Sequence, residues 1–413
     1  MSGCSDKVTE TVTFMINEPI FMSAEDFRNS VNVTTKDVPI KNYGKICFYQ
    51  GYIFIAESGK GIHIINNSNP SNPQKIGFIE LIGNADIAIR NGILYADALV
   101  DLVWFNINNP ATPVYEGRLE NVFAASQPLP PIDNEYGYDY VQCFGNDGRN
   151  KGIIVGWKLN QRTETVTYTT GGWWGNFEKS ENAIMSDGGR GSGTSIGITG
   201  SMSRFSQYNN YLYSVINNIM NIIDLSGNEP QKAADDIYIG LNVETIFNYK
   251  NNMFIGTPTG MVIYSVANPL KPEFMSFVGH VFGCDPVVVE DDIAYVTIHS
   301  GNNCGQNFNE LLIYDVSNVK NPVHIVTYAM TRPKGLGIDN GTLFVCDDGL
   351  KIFNAADAQT IMANRLAHYS GMEGYDVIPF ENVLMMIAED GLYQYDYSDL
   401  NKINLLSKLG FEK

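Results

Sequence analysis

The sequence is poor in charge, and poorest in base. Only 17 % of its 413 residues are charged, and 27 Lys and Arg stand against 45 Asp and Glu, a formal net charge of −18. That balance argues against nucleic acid, or an anionic membrane face, as the main partner. With 44 % hydrophobic residues and 39 Gly, it also argues against a disordered chain or a coiled coil. No apolar run reaches the ~18–20 residues of a membrane helix, so any membrane attachment has to come from a lipid anchor. Phosphate-cradling, redox and zinc-protease motifs (G-x-x-x-x-G-K-[ST], C-x-x-C, H-E-x-x-H) are missing, and no G-x-G-x-x-G opens a helix. The reading therefore expects no cofactor and no metal. A single G-x-S-x-G, Gly193-Thr194-Ser195-Ile196-Gly197, lies in a Gly-rich stretch without the strand and helix of a nucleophile elbow, and reads as chance.

What the chain has is a repeat: an alternating strand, a Gly or Asn turn, a second strand, then a third strand opening on Gly and closing on Asn or Asp. An Asn-Pro-x-x-Pro turn and a fourth strand often follow. The first unit, from Lys45, runs KICFYQG–YIFIAESGK–GIHIIN–NSNPSNP–QKIGFIEL; others start at Asp86, Arg204, Glu244, Asp285, Lys334 and Asp376. Lys45 to Asp86 is 41 residues, Arg204 to Glu244 is 40, Glu244 to Asp285 is 41 and Lys334 to Asp376 is 42. Four strands in about 40–50 residues is the period of a propeller blade. Pro70/Pro73, Pro110/Pro113 and Pro269/Pro272 fix φ and lack a ladder N–H, so they mark the turn out of the third strand. The expectation is an all-β chain with a single β-propeller of four-stranded antiparallel blades. There are eight blades if the degraded unit at Tyr138–Asn160 counts, and seven if it does not. The strand-like stretch Ser30–Pro39 is expected to pair beside the last unit, whose own fourth strand is read at Ile403–Lys408.

The segments GIHIIN-NSNP, MVIYSVANP and LLIYDVSN resemble LVIVD repeats, named for that third-strand motif. GKICFYQGYIFIAESGKGIHIINNSNP, ETIF…FIGTPTGM, GCDPVVV…AYVT and GLYQYDYS are similar to the exported lipoproteins of the Bacteroidetes branch. The resemblance covers roughly residues 41–409 and implies a propeller and export. It carries no catalytic motif over.

Ser2-Gly3-Cys4 resembles the end of a bacterial lipobox, which makes Cys4 a candidate for lipidation and residues 1–28 a tether ahead of a propeller over 29–413. The localisation this implies is the cell envelope, anchored to the outer membrane. Two insertions, near 123–137 and 165–203, break the rhythm. The second carries Trp173 and Trp174, which would stack on a sugar or plug a partner site if exposed, and pack as a local core if not. Cys47, Cys143 and Cys346 lie in apolar strands and read as buried small hydrophobes. Cys284 and Cys304 fall on loops that meet on one propeller face and are a candidate disulfide. His280 and His299 beside them fit no compact zinc spacing.

Seven inner strands start with an ionisable residue: Lys45, Asp86, Arg204, Glu244, Asp285, Lys334 and Asp376. The register rings them around the channel mouth. They form either a ligand site or a charge ring that compensates itself. Glu273, His280 and the Asp347/Asp348 pair are weaker candidates. The function expected is a non-catalytic envelope lipoprotein that binds a protein partner or glycan on one propeller face. The alternative is a carbohydrate-active or other hydrolytic enzyme, with Asp285 and Asp376, or Glu244 and Asp285, as acid and base.

Overall fold

A computed structural model describes residues 6–123, 138, 152–170, 198–216, 218–239, 243, 245–279, 286–299 and 308–411. The chain divides into two compact units, residues 1–30 with 127–185, and residues 31–126 with 186–413. The larger unit is a β-propeller of seven blades, spanning 43–80, 87–119, 205–232, 245–279, 287–329, 336–369 and 374–410. Each blade is built on four consecutive antiparallel strands with the first toward the axis, and in blade 1 two further short strands, Ile198–Thr199 and Asn32–Thr34, flank the four. In blade 3 the outer edge is split into two short pieces, Gln231–Lys232 and Ile237–Tyr238.

The count is therefore seven, not eight. The stretch read as a degraded blade contributes an 18-residue strand, Ile153–Thr170, to the smaller unit. It pairs antiparallel with Asp6–Met22, from Asp6↔Thr170 to Met22↔Ile153. An uninterrupted strand of that length cannot fold back into blade strands of about six residues. The partner strand also replaces the expected tether: from Asp6 onward that segment is ladder. A six-residue helix, Ala24–Asn29, follows, with Ser23 accepting the Asp26 N–H as its N-cap.

Ring closure also differs from the expectation. Asn32–Thr34 does not join the last blade; it pairs with Gln74–Glu80 on the outer edge of blade 1. Blade 7 is complete in itself, ending in Asn404–Gly410. The ring closes by packing: Ile378, Met385, Ile387 and Leu392 of blade 7 bury against Ile46, Ile53, Ile55 and Ile65 of blade 1. Equivalent apolar clusters fill the junctions from blade 2 through blade 7. Period-2 alternation supplies both sides of each blade, which is why the second and third strands read as nearly continuous hydrophobic runs.

The Asn/Asp ending of the repeat now has a cause. Asn66, Asn106, Asp224, Ser265, Asp315, Asn354 and Asp396 each accept the backbone N–H two residues on, turning the chain out of the third strand. The turn that follows is a docking point for the preceding blade. Tyr213 Oη donates to Pro269 O (2.8 Å), Ser276 Oγ to Val319 O (2.6 Å) and Tyr328 Oη to Ala358 O (3.0 Å). On the same rim, nearer the axis, the end of one inner strand clasps the next hairpin. Tyr49 Oη accepts Gly92 N–H at 2.9 Å, Tyr249 Oη accepts Asp292 N–H at 3.1 Å, and Glu290 accepts Gly341 N–H at 2.7 Å.

Candidate functional site

The hub is occupied by buried polar side chains, bonded to one another and to the segment that crosses it. Lys45 and Asp376 both sit at β-bulges of their inner strands, between Tyr43 and Ile46 and between Gly374 and Asp376. A bulge re-aims the side chain that follows it, and both residues are fully buried. Lys45 Nζ lies 3.6 Å from Asp86 Oδ1. The segment Ile198–Thr199 pairs with Cys47 and Phe48 on the inner side of blade 1, making it the innermost strand there. The chain then crosses the hub. Ser201 donates through its N–H and its hydroxyl to Asp376 Oδ1, both at 3.0 Å. Ser203 Oγ and the Arg204 N–H donate to the two oxygens of Asp86, at 2.9 and 2.7 Å.

Burial pushes the Asp376 pKa up to about 6, against the pull of Lys45 and of the donors on Oδ1. Asp97, in the second strand of blade 2, is raised to about 6 by burial as well, opposed first by Arg204. It accepts the Ala85 and Asp86 N–H groups at 2.7 and 2.8 Å and so fixes the turn that presents Asp86.

Of the seven ionisable residues read as a channel-mouth ring, Lys45, Asp86 and Asp376 do come together, but as a closed cluster rather than an open mouth. Arg204 joins the cluster through its backbone. Lys334 turns away to Glu373, Nζ to Oε1 at 2.5 Å. Glu244 and Asp285 lie outside the described residues, as do Cys4, Trp173, Trp174, Cys284, Cys304, Cys143 and His280. Cys47 and Cys346 are free and buried, as the apolar strands imply. Glu273 is exposed at the start of an outer strand.

Lys334 leads to an open feature that the sequence reading missed. Between blades 6 and 7, loops 331–334, 346–349, 371–374 and 389–390 bound a cleft of about 430 Å³. One side carries Arg332, Lys334 and Glu373, with Arg332 Nη2 2.7 Å from Glu373 Oε1. The hydrogen bond from Lys334 holds the Glu373 carboxyl below the usual carboxylate range, partly opposed by burial. Asp348, Glu389 and Asp390 also line it. Lys408 and Tyr393 donate to Asp390 and keep its carboxyl low. The Asp347/Asp348 pair divides: Asp347 is buried and accepts Thr331 N–H, Arg332 N–H and Lys351 Nζ, which shapes the wall, while Asp348 is exposed, at φ 51°. Glu373 was legible only as a residue three before Asp376, and nothing in the repeat marks it. Among the described residues, no group of three or more His, Cys, Asp or Glu is placed to hold a metal ion.

Seven radial four-stranded sheets around a polar, closed hub define a β-propeller. The LVIVD repeat model matches residues 44–79, which fall in blade 1, so the chain is a seven-bladed β-propeller carrying an LVIVD repeat. A comparison with curated proteins finds no match. Among solved structures, a protein from Lactobacillus plantarum is similar at 10 % identity and TM-score 0.53, covering 89 % of this chain and 96 % of that one. The periplasmic gluconolactonase of Pseudomonas aeruginosa is similar at 10 % identity and TM-score 0.51, again covering 89 % and 96 %. At such identity these likenesses describe the fold alone.

Proposed function

We propose that this chain is a non-catalytic binding protein of the cell envelope that takes a glycan or protein partner on the loop face, at the cleft between blades 6 and 7. One observation carries the reading: among the described residues the hub carboxylates Asp86 and Asp376 are bonded internally, while the open polar surface lies in the cleft. Asp376, a member of one of the two carboxylate pairs of the hydrolytic alternative, is fully buried and bonded to Ser201, while the other pair, Glu244 and Asp285, lies outside the described residues. A general acid has to reach its substrate within hydrogen-bond distance, and Asp376 has no such access. The cleft offers donors at Arg332 and Lys334 and acceptors at Glu389 and Asp348, a mixture suited to hydroxyl-rich or zwitterionic partners. Rigid blades holding variable loops on one face serve such recognition.

The envelope location and lipid anchor rest on Ser2-Gly3-Cys4 and on the resemblance to exported lipoproteins. They are tested by metabolic labelling with a radiolabelled fatty acid, which Cys4→Ser should abolish. The binding reading is tested by melting the protein in a panel of soluble oligosaccharides, beside a Glu373→Lys/Glu389→Lys variant. A ligand of the folded state stabilises it by about 2.7 kcal/mol at a hundred times Kd. A shift seen in the wild type and lost in the variant supports the cleft. An equal shift in both moves the site elsewhere on the propeller, and no shift with any sugar leaves a protein partner as the ligand.

A further inference from the structure

The chain ends do not exchange strands, yet the hub is crossed by a segment that belongs to no blade repeat. We propose that residues 198–204 act as an axial strap that locks the inner ring, taking the part that strand exchange between the termini plays in other closed rings.

The bonds of the strap reach most of the ring. Ile198–Thr199 adds to the inner strand of blade 1. Ser201 bonds to Asp376 of blade 7, and its hydroxyl accepts the Leu336 N–H of blade 6 at 2.9 Å. Ser203 bonds to Asp86, at the start of blade 2, and its carbonyl accepts the Ile246 N–H of blade 4 at 2.9 Å. The segment then becomes the inner strand of blade 3 at Phe205. Each serine hydroxyl both donates and accepts: Ser201 between Asp376 and Leu336, Ser203 between Asp86 and the Phe205 N–H. A hydroxyl can do both at once, since it carries one donor and two acceptor lone pairs on a single atom.

The fit is close enough to exclude side chains at one position. A Cβ on Gly200 would lie 1.9 Å from Asp376 Oδ2. That oxygen is buried and has no hydrogen-bond partner among the described residues. The carboxylate is therefore presented through Oδ1 to the strap alone and to its own Val377 N–H. Buried polar groups left half satisfied are costly. The arrangement is explained if the strap is the partner Asp376 is held for. The strap also closes the channel to ligands, consistent with recognition on the face rather than through the axis.

The test is hydrogen–deuterium exchange on the full chain. Ser201→Ala removes the hydroxyl that joins blades 6 and 7 but keeps the backbone bond to Asp376, so it is the mild variant. Gly200→Ala sets a methyl against the Asp376 carboxylate, so that strap and carboxylate must move apart, and is the severe one. The strap account expects Ser201→Ala to speed exchange about ten-fold or more together across the inner strands Tyr43–Tyr49, Leu336–Asp339 and Gly374–Phe380, with the outer strand Val323–Ala329 unchanged. Gly200→Ala should enlarge the same pattern; if it fails to fold, the mild variant still decides. A rise confined to Leu336, whose N–H loses its acceptor directly, would overturn the proposal, and so would a uniform rise over all strands.

Discussion

Ser407, in the last strand of the chain, donates its hydroxyl to the carbonyl of Pro70 in blade 1 at 2.6 Å, across 337 residues of sequence. The bond is the same in kind as the docking bonds Ser276–Val319 and Tyr328–Ala358, so the junction that closes the ring is built like the junctions inside it. Beside it, Asn67 and Gln394 form a reciprocal amide pair at 2.8 and 2.7 Å, both buried. The termini need no special device at the rim, because the turn after the third strand offers a carbonyl to its neighbour in blade 1 as it does in blades 4 to 7.

Truncating Gln394 should show how much this junction contributes. Gln394→Ala leaves the Asn67 amide buried without its partner, a loss of about 2 kcal/mol or more. In a double-mutant cycle with Asn67→Ala the two losses should fall short of additivity by ~1 kcal/mol or more, measured by urea denaturation. Strict additivity would mean that the pair is not coupled.

The inner-strand hairpins of the same rim make a quieter prediction. Tyr49→Phe and Tyr249→Phe each delete one acceptor for an N–H of the next hairpin while keeping the packed ring. Each should cost about 1 kcal/mol, and the double variant about the sum, since the two junctions share no partner. Equilibrium unfolding of the three variants checks this.

Acid should weaken the protein through His63. Burial drives its pKa down to about 4, although Glu57, 3.3 Å away, pulls it upward. The unfolded chain holds its His near 6.5, so between pH 6.5 and 4 the unfolded state binds more protons. The stability from a neutral His63 is complete above pH 6.5 and is lost as pH falls toward 4, by as much as ~3 kcal/mol. Asp376, raised to about 6, acts in the opposite direction, its contribution falling as pH rises through that value. His63→Gln keeps a donor for Glu57 and should flatten the melting-temperature slope between pH 4 and 6.5. An unchanged slope would remove His63 from the account.

The described thiols should be inert. Burial pushes Cys47 up to about 12 and Cys346 well above its ordinary value, so neither is a thiolate at neutral pH. Mass-spectrometric mapping after iodoacetamide treatment should find both unmodified in the native protein and alkylated in urea. Native labelling at Cys346 would show that the cleft opens more deeply than the structure allows.

Much of this architecture was legible in the residues. The 40–42-residue spacing placed the seven true blades, and the Asn-Pro turns marked the exit of the third strand where the Asx turns lie. The eighth blade was read from Tyr138–Asn160, whose final residues belong to the long strand Ile153–Thr170: alternation marks a strand but says nothing of its partner, and here the partner is Asp6–Met22, nearly 150 residues earlier. The same limit applies at the hub. Register put Lys45, Asp86 and Asp376 at equivalent strand starts, but their closed arrangement includes bonds from Ser201 and Ser203, which sit in a Gly/Ser-rich stretch that reads as loop. The cleft was not legible, since Arg332, Glu373 and Glu389 come from three loops that the packing of blades 6 and 7 brings near one another.

The central claim is that recognition occurs at the cleft between blades 6 and 7, and site-specific photo-crosslinking tests it most directly. A benzophenone amino acid placed at Met372, on the cleft, is compared in cells with one at Phe274, exposed on the outer strand of blade 4. The account predicts a discrete adduct from position 372 and none from 274. Adducts from 274 alone, or from neither position, would contradict it.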